Sequence, residues 1–138
     1  MNRKIIFGLV ILLAILAVSS CSLLGVGTSM TDRIGFFVVD LNSSRANIID
    51  NIHPDAPGYN TVNSDSYWSD ESGTWDPVSN TFSITDITEG SDSVIGTFTS
   101  NDFSSGTTIS FEMKDDGDFF SGENWKIWSC TVDGVAQF

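Results

Sequence analysis

Histidine is almost missing from this chain, and cysteine and basic residues are scarce. The 138 residues include one histidine, His53, and two cysteines, Cys21 and Cys130. Lysine and arginine number six against 18 acidic residues, for a formal net charge of −12. Each scarcity excludes something. A lone histidine with no cysteine or second histidine to join it does not make a zinc site. A thiol nucleophile needs a base such as histidine beside it, and one histidine leaves little room for that pairing. A surface this acidic repels phosphate backbones, which argues against nucleic-acid binding. It also offers little attraction to anionic lipid headgroups. No repeat of roughly 20–50 residues and no low-complexity tract is present.

The one long apolar run lies at the start. Arg3 and Lys4 precede an unbroken stretch from Ile5 to Val18, and Ser19 and Ser20 follow it. A basic start, an apolar centre and small residues at the end form a secretory signal peptide. The quartet Val18-Ser19-Ser20-Cys21 resembles the bacterial lipobox. The resemblance implies cleavage before Cys21, diacylglyceryl transfer to its sulfur and acylation of its new amine. One acyl chain anchors only marginally, whereas three hold a protein on a membrane. In lipoproteins of this kind an Asp after the anchor cysteine signals inner-membrane retention, so the resemblance implies that Ser22 leans towards the outer membrane of a bacterial cell envelope over the inner one.

The competing reading is an uncleaved transmembrane helix continued through Leu23, Leu24 and Val26. A span needs about 20 predominantly apolar residues, and Ser19, Ser20 and Ser22 interrupt the continuation. The expected division is therefore a lipoprotein signal peptide at 1–20, a lipidated Cys21 with a short tether at 21–28, and a single α+β domain at 29–138. Cleavage removes Arg3 and Lys4, leaving four basic residues against all 18 acids and a formal charge of −14. Solubility is the first meaning of that charge; a cationic partner or divalent cations are the second. Lipidation of Cys21 also leaves Cys130 without a partner, so it reads as a buried, inert thiol in an apolar strand.

Helix signals open the folded part. Ser29 is a cap, with Asp32 three residues on in the manner of a capping box. Met30, Ile34, Phe37, Val38 and Leu41 recur at helical spacing. Phe36 and Val39 lie beside that stripe, so a broad buried face is expected. Asn42-Ser43-Ser44 ends the helix and offers a second cap. Arg45 to Asn51 reads as a short helix with Ile48, Ile49 and Ile52 on one side, stopped by Pro54. The turn-rich stretch 54–80 carries Tyr59, Tyr67, Trp68 and Trp75, with a short third helix around Ser64–Tyr67. Strands follow at Phe82–Ile87, Val94–Thr99, Thr107–Lys114 and Asn124–Val132, joined by short turns as an antiparallel meander. On the last strand, strict alternation puts Trp125 and Ile127 on one face and Trp128, Cys130 and Val132 on the other. Helices followed by a sheet give an α+β fold.

The order of these pieces resembles the nuclear transport factor 2-like superfamily, which includes ketosteroid isomerase and small bacterial lipoproteins. The residues that carry it are Leu41-Asn42-Ser43, Ile52-His53-Pro54-Asp55-Ala56, Tyr67-Trp68, and the closing pair Phe111 to Gly117 and Asn124-Trp125-Lys126-Ile127. The resemblance covers about residues 29–134. It implies N-terminal helices packed on a curved, cone-like sheet with an apolar pocket, and enzymes of the superfamily place an acid or base inside such a cone. Asp40, Tyr59 and His53 are candidates for that role by residue type alone, and none matches a catalytic position. His53 is otherwise expected at a helix end, interacting with the dipole. The acids Asp115, Asp116 and Asp118, with Glu112 and Glu123, do not follow a calcium-loop spacing and read first as a turn. No metal and no cofactor is implied. Trp128 is either core or part of an open patch for a partner.

The sequence reading is thus a membrane-anchored, non-enzymatic binding or accessory domain. A hydrophobic small molecule or a basic protein is the candidate partner, and oligomeric state is left open. The rival readings are a small-molecule enzyme using the cone, and an acidic inhibitor of a basic protein such as a lysozyme.

Overall fold

The computed structural model of the protein describes residues 27–43, 45–68, 74–75, 81–100, 106–118 and 122–138. The apolar run, Cys21, Ser44 and most of the stretch 69–80 lie outside them. Among the described residues, no helix is long and apolar enough to cross a membrane.

Helix α1 spans Met30–Ser43. The Ser29 hydroxyl caps it by accepting from the Asp32 backbone N–H at 3.1 Å, which satisfies one of the donors a helix start leaves open. Met30, Ile34, Phe37 and Leu41 form the buried stripe. That stripe is narrower than the sequence suggests. Phe36 is 53% exposed and Val39 60% exposed, because they flank the stripe on the side away from the sheet. A 3-10 helix follows at Arg45–Asn51 and buries Ile48 and Asn51, and Ile52 just beyond it is buried too. Two single-turn helices follow, α2 at Tyr59–Val62 and α3 at Asp65–Trp68.

Strands β1 (Ser83–Glu89), β2 (Ser93–Thr99), β3 (Thr107–Asp115), β4 (Trp125–Val132) and β5 (Val135–Ala136) form one sheet in the order β1-β2-β3-β4-β5. Every pairing is antiparallel. The protein is therefore α+β, helices against a curved antiparallel meander, as the sequence order implies. β5 is an addition to the sequence reading. Asp133 and Gly134 both have positive φ, 50° and 78°, and an Asp-Gly pair of that kind makes a tight hairpin.

Aromatic side chains fill the space between helices and sheet. Phe37 on α1 meets Trp68, Trp75 and Phe111 edge-on at 5.7–6.2 Å between ring centroids. Phe82 stacks on Phe98 at 5.8 Å. All six are buried. Two arginines fasten this core to its surroundings. Arg45 donates to the carbonyls of Trp68 and Trp75. Arg33 donates to the Trp125 carbonyl and to the side-chain oxygens of Asn51 and Asn124.

The last strand departs from simple alternation. Glu112 pairs with Ser129 and Met113 with Ile127, so Trp128 has no partner of its own. Such a bulge shifts side-chain facing by one residue. Ile127, Cys130 and Val132 consequently share the buried face, and Trp128 leaves it. The strand that reads as apolar on both faces is a one-faced strand with a bulge.

Candidate functional site

Three pieces of chain meet at the end of the sheet marked by that bulge. The turn before β2 brings Asp92, whose carbonyl accepts the Met113 N–H at 2.7 Å. The end of β3 brings Glu112, Met113, Lys114 and Asp115. The beginning of β4 brings Trp125 and Trp128. Together they line an open groove of about 480 Å³. Met113 is buried at its floor, both tryptophans are half-buried, and the charged side chains are exposed.

Each wall of the groove is held in place. The Lys114 ammonium sits over the Trp128 ring, 4.1 Å from its centroid. His53 packs its ring edge-on against Trp128 at 5.2 Å. The Trp125 indole N–H donates to Glu123 at 3.0 Å. Glu112 accepts from the Ser129 hydroxyl at 3.2 Å. Asp115 accepts two backbone N–H groups with one oxygen, from Gly117 at 2.8 Å and Asn124 at 2.7 Å. The acidic turn is therefore held by backbone hydrogen bonds, as Asx turns are. Among the described residues, no group of three or more metal-binding side chains converges.

The candidates named by residue type are not brought into one site. Asp40 accepts from the Asn51 amide at 2.7 Å, in the network that ends on Arg33. Tyr59 opens α2 and packs on the core. His53 is 4% exposed. Its backbone N–H donates to the Ile127 carbonyl at 2.8 Å, and its Nδ1 accepts the Asp55 N–H at 3.1 Å. Nε2 lies 3.8 Å from Asp116, whose other oxygen is 3.6 Å from Lys126. His53 is thus docked on the edge of β4 behind Trp128, rather than capping a helix dipole. Cys130 is fully buried, and burial pushes its thiol well above the ordinary range. A thiolate is correspondingly suppressed at neutral pH. Cys21 lies outside the described residues.

Sequence reasoning names Trp128 but misses the groove. The missing signal is the bulge, because alternation alone assigns Trp128 and Cys130 to the same face. No protein-family model matches this chain, and no curated protein or solved structure matches it.

Proposed function

We propose that this is a lipid-anchored bacterial envelope protein, outer-membrane in preference to inner, whose folded part is a non-enzymatic binding domain. Cleavage before Cys21 and acylation at that residue supply the anchor. The Trp125–Trp128 groove is the binding surface.

The observation that carries the binding reading is the pair of half-buried tryptophans in a groove, while Trp68 and Trp75 are buried in the core. Tryptophan left partly in water beside convergent polar groups is characteristic of recognition surfaces. The interior supports the same choice. Aromatic rings pack within it, and two of the candidate acids and bases, Asp40 and His53, each have a hydrogen-bond partner within the fold. The nuclear transport factor 2-like resemblance then serves as a frame for shape, with the cone closed by aromatic packing and the ligand taken outside it.

Intact mass spectrometry of the full chain, expressed in a lipoprotein-processing bacterium and extracted from membranes, tests the anchor. The expected mass lacks residues 1–20 and carries acyl chains, and Cys21→Ala loses the acyl mass. A full-length, unmodified chain in the membrane would establish the transmembrane alternative.

A further inference from the structure

The geometry points to the ligand of the groove: an arginine- or lysine-bearing segment of a basic partner protein, with one cationic side chain seated on Trp128 in the place that Lys114 now fills. This rests on the reading of the folded part as a binding domain.

Charge is the first support. Beyond residue 20 the chain has four basic side chains for 18 acids. Two of them are committed to the fold, since Arg33 and Arg45 donate to internal oxygens. A third, Lys126, lies 3.6 Å from Asp116. Only Lys114 projects into the groove, among Asp92, Glu112 and Asp115. The groove therefore carries net negative charge within a negative surface, which steers cations towards it and anions away.

The second support is the Lys114–Trp128 contact itself. An ammonium 4.1 Å above the indole centroid is a cation–π pair. The Trp128 face is thus shaped to take a cation, and the chain's own lysine takes it. Lys114 also faces Lys126 across the β3–β4 ladder, and like charges directly opposite repel. That repulsion favours departure of Lys114 when another cation arrives. The carboxylates around the ring keep acceptors for it: Glu112 and Asp115 each use one oxygen within the fold. A guanidinium has the planar face to stack on indole and the donors to reach such carboxylates. The groove is open and its floor is apolar Met113. It suits a side chain presented by a larger partner, whose further positive charges meet the surrounding acids, better than an isolated small amine.

The test is calorimetric titration of the full-length protein in mild detergent with two probes, N-acetylated and C-amidated hexa-arginine and neutral maltohexaose. The peptide is expected to bind, more weakly as salt rises, and the saccharide is not. Trp128→Leu should weaken peptide binding by roughly three- to thirtyfold, the range of a cation–π contact. Glu112→Gln should weaken it too. Lys114→Met should tighten it several-fold, because it frees the ring and removes a like charge. Glu112 and Lys114 are exposed, so their variants carry the test if Trp128→Leu does not fold. Peptide binding unchanged in all three variants would mean diffuse attraction and would overturn the proposal, as would weaker binding by Lys114→Met. Saccharide binding lost in Trp128→Leu would overturn the ligand class and leave the binding domain standing. A folded protein that binds neither probe would contradict both.

Discussion

At the scale of residues, scarcity makes the few unusual side chains easy to follow. Cys130 is buried between β4 and the core, and burial raises its thiol above the usual range. Tyr67 is half-buried, donates its hydroxyl to the Gln137 carbonyl at 2.6 Å and is also raised, chiefly by burial. Both groups hold their proton longer folded than unfolded. The native state then binds more protons than the unfolded one at alkaline pH, so stability falls as pH rises. The loss should begin above about pH 8.5 through Cys130 and steepen above about pH 10 through Tyr67, at the reference values of the two groups. Chemical denaturation at a series of pH values checks this. Cys130→Ala should remove the first part of the loss and Tyr67→Phe the second; a flat alkaline profile in the parent protein would contradict the burial of both. The burial of Cys130 is legible in the sequence because Trp128 and Val132 surround it in an apolar strand. The place of His53 is not, since its contacts with Trp128 and Asp116 join segments far apart in sequence.

Among elements, the informative cases are those in which pattern and packing disagree. The apolar spacing of α1 is correct for Ile34, Phe37 and Leu41, yet Phe36 and Val39 stay exposed. Hydropathy records that a residue is apolar, whereas the sheet covers only one narrow side of the helix. Phe37→Ala should therefore cost about 3–5 kcal/mol, as a large-to-small change in a packed core does. Val39→Lys should change stability by no more than about 0.5 kcal/mol, as exposed substitutions do. Urea denaturation of the two variants measures the contrast, and a comparable cost at both positions would restore the broad buried face. In β4 the disagreement comes from the bulge at Trp128. One extra residue reverses the facing of everything beyond it, and no local composition marks the spot. The hairpin to β5 differs, because its Asp133-Gly134 signal stands openly in the sequence.

For the whole molecule, the groove and the start of the folded chain lie together. Thr28 bridges to Asn124, and its carbonyl accepts the Trp125 N–H at 3.2 Å. Gly27 lies so close to the Glu123 backbone that a Cβ would collide with it. The tether thus enters beside Trp125. If Cys21 carries lipid, the six-residue step to Gly27 spans at most about 20 Å, which keeps the groove near the membrane surface. The α+β order is legible from periodicity. The groove depends on three separated segments and is not. An NMR titration of the indole N–H signals with hexa-arginine reads whether its ligand sits outside the aromatic core. Four tryptophans provide four signals, assignable by single Trp→Phe substitutions. Trp125 and Trp128 should shift while Trp68 and Trp75 stay still. Shifts at Trp68 and Trp75 with Trp125 and Trp128 unmoved would put the ligand inside the helix–sheet core and contradict the groove as its site.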